Sequence, residues 1–373
     1  MGNRVSVTAS RREAVRLGIG GVAALNASIL SASAEANATK RGQTHVIRSG
    51  ASTVSVGVLD PSRKPIVTIR SGDIVEYPST WLHWGNQPKF GMGYAERDAI
   101  RQQYRAGPYS LVGPVAIEGA QPGDVIECRL LRLKTIGWGW NSAPTGVGAL
   151  PDQFPEPYLR YIRFSADRRW AQFSDQVRIP IRPFQAVMAV QPAGNDTVSG
   201  ILTGAHGGNL KVPEFTEGSS LFLPVQAPLG LIWTGDTHAA QGDGVVNQTA
   251  IETAAEVLRI QYVLRRGRPI EGPLGETATH WIAMGFAPTL DGAMNMSLDR
   301  LLNWLAPASG MSRADLYALA SIAASFRVTQ FANQKASNYA SVPDRGVHGM
   351  MPKAIFAPAA ANQISAALRG SQL

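Results

Sequence analysis

The chain has 373 residues, of which 45% are hydrophobic and 17% are charged. This balance is typical of a globular protein and excludes wholesale disorder, and the length predicts about two domains. The single cysteine, Cys128, excludes an intrachain disulfide, a zinc finger and a CxxC redox motif. The 38 glycines and 24 prolines favour many turns and short strands over a helical bundle.

The N-terminal segment has the pattern of a twin-arginine export signal. Arg11 and Arg12 precede a mildly apolar stretch, residues 17–30, and an Ala-Ser-Ala cleavage motif ends at Ala34. These 14 residues are too few for a membrane span, which needs ~20. A surface helix or a retained anchor is the alternative, but the glycines inside the stretch disfavour a stable helix. We therefore expect a protein exported to the periplasm or the extracellular space, without stable membrane insertion.

The charge distribution argues against a nucleic-acid partner. The chain carries 35 Lys and Arg against 27 Asp and Glu, a formal net charge of +8. The export segment contributes +3 of this charge, and the remainder forms no basic run, whereas nucleic-acid binding requires a clustered basic face. Because the twin-arginine route carries folded proteins, often with a cofactor inside, export also favours a bound metal.

The first two-thirds of the chain contain turn signals followed by short apolar runs, a pattern that predicts strands. Residues 258–264 alternate apolar and polar side chains, as in a half-buried strand. The other predicted strands are 66–69, 74–77, 125–130, which contains Cys128 as a core residue, and 221–225.

After Gly292 the pattern becomes helical. Ser297 is a candidate cap for a helix that runs through Leu305, and Ser312 with Asp315 predicts a capping-box start for a helix over residues 313–323. We therefore predict a mainly β fold with an α+β C-terminal part. The predicted organisation is an export signal over 1–34, a β-rich domain over 35–290 and a C-terminal part with two helices over 291–373.

The densest polar cluster lies in residues 235–244. Asp236 and His238 are two residues apart, so an extended backbone places both side chains on one face. The glycines on either side of Asp243 allow a reversal that would bring its carboxylate to the same face. Two carboxylates and an imidazole suit a divalent metal with an open position, which would activate water. Glu252, eight residues beyond Gly244, is a candidate proton-transfer group.

Other readings remain open for each of these residues. Asp-x-His and Gly-Asp-Gly also occur in ordinary loops. Asn209, after two glycines that would allow close approach to a ligand, suits an amide substrate or caps a turn. Glu118 would face a pocket at a strand end or lie in solvent. His83, between two tryptophans, is either a further ligand or a core histidine in an aromatic cluster.

Several segments share the order and spacing of one known family over roughly residues 60–358. They are 113–124, 207–209, 223–225, 235–244, 251–252, 290–294, 317–319, 327–330 and 351–356. These segments resemble the acetamidase/formamidase family, and the string Gly-Asp-x-His-Ala-x-Gln-Gly-Asp-Gly at 235–244 is the most specific of them. The resemblance implies a β-sandwich architecture, hydrolysis of a small linear amide to a carboxylate and ammonia, a homo-oligomer, and a divalent metal (zinc or calcium) in some relatives.

The resemblance also suggests which polar residues form the site. The matching positions are Asp236, His238, Gln241, Asp243 and Glu252, with Asn209 and Glu118 beside them. We expect Asp236, His238 and Asp243 to hold the metal. Glu252 or Glu118 would move the proton to the leaving amine, and Asn209 and Gln241 would orient the amide.

Three departures from the family pattern lie near this centre. Lys211 stands where the family usually has Asp, and Val245 stands where it usually has Glu. The usual pattern near the predicted strand at 74–77 is replaced by Trp81-Leu82-His83-Trp84. These departures leave open a different, larger amide, a different coordination of the metal, or a binding protein without activity on the same fold.

Overall fold

A computed structural model describes residues 42–331 and 339–370, and the predicted export signal over 1–34 lies outside these ranges. The strands are β1 Thr44–Val46, β2 Val54–Val56, β3 Val58–Leu59, β4 Val67–Ile69, β5 Ile74–Pro78, β6 Ser110–Ile117, β7 Val125–Thr135, β8 Trp138–Ala143, β9 Tyr158–Phe164, β10 Trp170–Gln172, β11 Arg178–Pro180, β12 Phe184–Val190, β13 Val198–Ser199, β14 Thr203–Gly204, β15 Gly207–Asn209, β16 Ser220–Pro224, β17 Ile232–His238, β18 Glu252–Thr253, β19 Ala255–Arg265, β20 Leu274–Glu276, β21 His280–Ala287, β22 Ser325–Gln330 and β23 Arg345–Pro352.

The helices are fewer and most lie in the last third of the chain. They are α1 His83–Asn86, α2 Tyr94–Arg101, α3 Leu290–Ser309, α4 Arg313–Ala323 and α5 Pro358–Arg369, and a 3-10 turn covers Lys353–Ile355. No described helix has the length and apolar character that crossing a membrane requires.

The strands form two large sheets and one small one. The first sheet has nine strands in the order β1-β5-β19-β7-β16-β20-β21-β23-β22. The second has twelve, with β11-β10-β9-β8-β18-β17-β12-β15-β14 as its main path and β2, β4 and β6 joined to it through the pairing of β6 with β17. β3 and β13 form the third sheet. The strands that follow residue 290, β22 and β23, extend the first sheet.

The main hydrophobic core lies between the two large sheets. Val75 and Ile260 of the first sheet and Val115, Met188 and Ile232 of the second are buried in one cluster. Face-to-face packing of two sheets through such a layer is the arrangement of a β-sandwich. The predicted fold class, mainly β with an α+β C-terminal part, is therefore confirmed.

The C-terminal helices match the sequence in part. Helix α4 covers 313–323 with the Ser312 side chain capping the Asp315 N–H, as predicted. The prediction that Ser297 caps the preceding helix is wrong, because the cap is Thr289 and α3 begins at Leu290. Ser297 instead lies inside α3, where its Oγ donates to the Ala283 carbonyl. Helix α5 adds a third helix to the expected two.

A buried ionic network attaches α5 to the first sheet. Glu127, on β7, is fully buried and accepts hydrogen bonds from the guanidinium groups of Arg129, Arg265 and Arg369. Burial alone would raise the pKa of Glu127, but the arginines outweigh it and lower that pKa to about 2. Arg369, the last residue of α5, also contacts Glu276 at 2.6 Å. The end of the helix is thus bound to two strands, β7 and β20.

The contact between α3 and β21 gives a stability prediction. A Cβ atom on Gly285 would lie 2.0 Å from the Ala293 carbonyl oxygen and 2.6 Å from the Ser297 nitrogen. We therefore expect Gly285→Ala to lower the free energy of unfolding by about 2–3 kcal/mol through overpacking. Gly242→Ala is the control, because its Cβ would meet no atom within 4 Å. Urea unfolding measures both variants, and equal midpoints would contradict the prediction.

Candidate active site: two carboxylates and two histidines

Strand β17 supplies the first half of the site. All of its residues are buried, and it pairs with β12 on one side and with β6 and β18 on the other. Asp236 and His238 project from the same face of this strand, as their spacing predicts. Their side chains touch, with His238 Nε2 3.0 Å from Asp236 Oδ2.

The neighbouring strand places Glu252 beside this pair. Glu252 lies directly across from His238 in the antiparallel pairing of β17 and β18, and directly opposite residues have adjacent side chains. Glu252 Oε1 accepts the backbone N–H of Ala250 at 3.0 Å. Its Oε2 lies 2.9 Å from His238 Nε2 but has no partner in hydrogen-bonding geometry among the described residues. This oxygen is therefore the least satisfied acceptor of the cluster.

His83 completes the cluster from a distant part of the chain. Its Nε2 lies 2.7 Å from Asp236 Oδ1 and 3.4 Å from Glu252 Oε2. The ring also packs edge-on against Tyr109 and Trp140, with centroids 5.3 Å apart in each case. His83 therefore combines the two roles considered from the sequence: it lies in an aromatic cluster and it contacts the carboxylates.

Gln241 fixes the protonation of His238. The amide nitrogen of Gln241 donates to the Lys211 carbonyl at 2.7 Å, which turns its oxygen towards His238 Nδ1 at 3.0 Å. Nδ1 must then carry a proton, since the amide oxygen can only accept. Nε2 faces Asp236 and Glu252, so it is favoured as a second donor. Burial opposes a charged ring, but the two carboxylates raise the pKa of His238 to about 10.

The charge of Asp236 is stabilised in return. Burial would raise the pKa of this carboxyl, but the contacts with His238 and His83 hold the pKa well below its usual value. Asp236 is only 5% exposed, and a buried carboxylate is strongly unfavourable unless it is paired. The carboxylates and His238 therefore form a mutually dependent charged unit.

The backbone around the site is strained. Asp236 has φ +58° inside a strand, and four residues that line the adjoining cavity also adopt positive φ: Trp84, Lys211, Val245 and Gln248. Such conformations cost about 1–3 kcal/mol each and cluster at functional sites. Because five of them surround one cluster, the fold maintains this arrangement against a local cost.

Three of these side chains could hold a metal ion. Ligand atoms of His83, Asp236 and Glu252 lie within 4.8 Å of one another, and all three residues are buried. One imidazole nitrogen and two carboxylate oxygens match the donors that zinc takes, whereas calcium takes six to eight oxygens. The donor chemistry therefore fits a zinc-type divalent metal.

Two predicted site residues lie away from the cluster. Asp243 is exposed, with Oδ2 3.9 Å from Arg327 Nε, because the N–H of Gly244 is bound to the Val328 carbonyl and turns the loop outwards. The predicted convergence of Asp243 with Asp236 therefore does not occur. Glu118 is also exposed and lies 3.5 Å from Arg70, outside the cluster.

A cavity of about 80 Å³ adjoins the cluster, and His83, Glu252 and Asn209 line it. Asn209 is buried on β15, and its Oδ1 has no partner among the described residues. Gly207 and Gly208 do not form a ligand loop. They allow the neighbouring backbone to approach closely. A Cβ atom on Gly207 would lie 2.5 Å from the Met188 oxygen, and one on Gly208 would lie 2.2 Å from the Leu202 oxygen.

Two further residues line the cavity: the sequence indicates no role for Arg97 and identifies Lys211 only as a departure from the family pattern. Arg97, on α2, and the side chain of Lys211 both line the cavity and are buried. Arg97 stands in no motif, and a lone arginine in a short amphipathic helix usually faces solvent. Only the fold of α2 against β8 and β9 reveals the burial of Arg97.

The raised pKa of His238 predicts a pH dependence of stability. A histidine that is charged in the folded state and neutral in the unfolded state stabilises the fold fully below the unfolded pKa. That contribution decreases towards pH 10. Between pH 7 and 9 we expect the free energy of unfolding of the chelator-treated protein to fall by up to ~1.4 kcal/mol per pH unit.

Denaturant unfolding at several pH values tests this slope. His238→Gln should remove most of it, whereas His280→Gln should keep it, because His280 lies outside the cluster. A flat profile in the unsubstituted protein would contradict a charged His238.

The comparisons with known proteins agree with this geometry. The family model described as the Acetamidase/Formamidase family matches residues 93–199 and 193–274. A formamidase of Methylophilus methylotrophus is 26% identical over 246 residues, 50% of this chain and 58% of that protein. An acetamidase of Mycolicibacterium smegmatis is 23% identical over 214 residues, 40% of this chain and 51% of that protein. The chain thus spans about half the length of these curated relatives.

A solved structure resembles the chain over more of its length. The crystal structure of an acetamidase from Bacillus halodurans has a TM-score of 0.73 and 25% identity, and the match covers 83% of this chain and 98% of that one. Together with the cluster at 236–252, these matches lead to one conclusion: the chain belongs to the acetamidase/formamidase family.

Proposed function

We propose that this protein hydrolyses the C–N bond of a small linear amide and releases a carboxylate and ammonia. The observation that carries the proposal is the cavity beside Glu252 and His83, with Asp236 and His238 directly behind them. Perturbed titratable groups beside a cavity are typical of catalytic sites. The names of the relatives, formamidase and acetamidase, support the same reaction class.

Glu252 is the proposed proton-transfer residue. Its Oε2 is ion-paired with His238 at 2.9 Å but has no partner in hydrogen-bonding geometry among the described residues, and Glu252 lines the cavity. We assign this oxygen to accept a proton from water. The oxygen of that water bonds to the amide carbon. The C–N bond then breaks with its electron pair on nitrogen, and the same proton passes to the leaving ammonia. Asn209 is suited to accept the amide N–H at its unpartnered Oδ1.

The other residues position this group. Gln241 holds the ring of His238 by its Nδ1–H, and the charged ring lies 2.9 Å from Glu252 Oε2. Asp236 holds both histidines through its two oxygens. We therefore assign Gln241 to orienting His238, and not to direct contact with the amide.

We propose that a divalent metal of the zinc type acts in this site, held by His83, Asp236 and Glu252. When bound there, such a metal would polarise the amide carbonyl and lower the pKa of a water molecule. Glu252 is then both a ligand candidate and the proton-transfer candidate. Oε1 of its carboxylate accepts the Ala250 N–H, and Oε2 has no hydrogen-bond partner among the described residues.

Export and assembly are also part of the proposal. The paired arginines and the Ala-Ser-Ala motif at residues 11–34 support transport by the twin-arginine route to the periplasm or beyond. Assembly as a homo-oligomer follows from the family resemblance. N-terminal sequencing of secreted protein, with a start at Glu35, and sedimentation of the purified product test the two statements.

Ammonia release from formamide, acetamide and longer linear amides tests the reaction. We expect Asp236→Asn and Glu252→Gln to lower kcat/KM by about 100-fold or more, because each removes a group from the reacting cluster. Asp243→Asn is the matched exposed carboxylate of the same segment, and it should stay within about twofold of the unsubstituted enzyme. Equal losses in all three variants, or none in any, would reject the site.

Elemental analysis before and after chelation tests the metal. We expect about one zinc-type ion per chain, lost in Asp236→Asn together with activity. Glu252→Gln separates its two roles: loss of activity with metal retained identifies proton transfer, and loss of both identifies a ligand. A fully active protein free of divalent metal would reject the metal and leave the amidase proposal standing.

A further inference from the structure

The cavity beside the catalytic cluster contains more positive charge than the cluster requires. Three cationic side chains line it, Arg97, Arg101 and Lys211, against two carboxylates, Asp98 and Glu252. Arg101 is paired with Asp98 through Nη2 at 2.5 Å. Glu252 faces His238 at 2.9 Å. Asp236 and Glu252 share the one positive charge of His238, and Glu252 also attracts Arg97. Among the described residues of the cavity and the cluster, four cationic groups therefore face three carboxylates, so one positive charge lacks a carboxylate.

Arg97 is buried without a hydrogen bond to a carboxylate among the described residues. It is 3% exposed, and its guanidinium lies over the rings of Trp140 and Trp84 at 4.5 and 5.2 Å. Its one side-chain hydrogen bond goes to the Tyr161 hydroxyl at 3.4 Å, and Nη2 has no partner among the described residues. A guanidinium presents five donors in a planar fork that matches a carboxylate. Burial without such a match is unfavourable, so a ligand that supplies a carboxylate would be bound strongly.

Lys211 is the second buried cation of the cavity wall. It is 6% exposed, and its ammonium makes no hydrogen bond or ion pair with the part of the chain that the structure describes. Its backbone has φ +52°, and its carbonyl binds Gln241. The conformation that orients Gln241 towards His238 is thus the same one that fixes the Lys211 side chain at the cavity.

We propose that the substrate is an amide that also carries a carboxylate, recognised by Arg97 with Lys211, such as the monoamide of a short dicarboxylic acid. This inference rests on the proposed amidase function and names its substrate class. The cavity of about 80 Å³ has room for a small compound. Acetamide, a neutral molecule, would leave the surplus positive charge without a counter-ion.

The test compares two amides of similar shape. Succinamic acid carries a carboxylate where butyramide ends in a methyl group. We expect the unsubstituted enzyme to prefer succinamic acid in kcat/KM by at least about tenfold, the effect of one charged hydrogen-bonded pair. Arg97→Gln should abolish this preference mainly through KM, and Arg97→Lys should restore part of it. Arg163→Gln, which removes an exposed arginine stacked on Phe90 at 4.1 Å, should keep the preference.

The outcomes separate this inference from the proposed function. Equal turnover of both amides, with Arg97→Gln lowering both alike, overturns the inference while the amidase function stands. If neither amide is hydrolysed, calorimetric binding of succinamic acid still decides. Binding that Arg97→Gln abolishes and Arg163→Gln keeps supports the anion site, and binding that is absent or unchanged in Arg97→Gln overturns it.

Discussion

The burial of Asp236 and Glu252 side by side is the constraint on which the site depends. Removing a carboxylate from water costs several kcal/mol unless a positive charge compensates it. The imidazolium of His238 supplies one positive charge between them, because the two carboxylates raise its pKa, and Gln241 accepts a hydrogen bond from its Nδ1. The orientation of Gln241 in turn depends on the carbonyl of Lys211. One charge requirement thus links the pairing of β17 with β18, the protonation of His238 and the backbone conformation of Lys211, which lies beyond the end of β15.

The sandwich stabilises this arrangement because β17 is paired with strands on both of its sides. β17 is paired along both edges, so Asp236 can hold a left-handed conformation that an isolated strand would release. His83 and Arg97 come from the connection between β5 and β6, and both line the cavity. The sheet therefore positions the acids, and this connection adds two residues of the cavity wall.

The sequence predicts the parts of the site that follow from local backbone geometry. A period of two places Asp236 and His238 on one face, and the family resemblance points to Glu252, which an antiparallel return brings opposite His238. His83 lies 153 residues from Asp236 in the sequence, so only the tertiary fold could join them. The prediction for Asp243 failed because the flexibility of its flanking glycines does not determine direction. A backbone hydrogen bond from Gly244 to Val328 does. The α3 start was missed because Thr289 competes with Ser297 as a cap and lies before an uninterrupted helical run.

The network around Glu127 ties the final helix into the fold. Arg369 is the terminal residue of α5, yet it neutralises a carboxylate in the middle of the first sheet. Loss of Arg369 would leave Glu127 with two of its three arginines and would leave Glu276 with Lys353 as its ion-pair partner. Affinity tags or fusion partners placed after α5 therefore need a linker long enough to leave Arg369 undisturbed. Proteolysis that removes Arg369 would therefore weaken the attachment of α5 to β7 and β20.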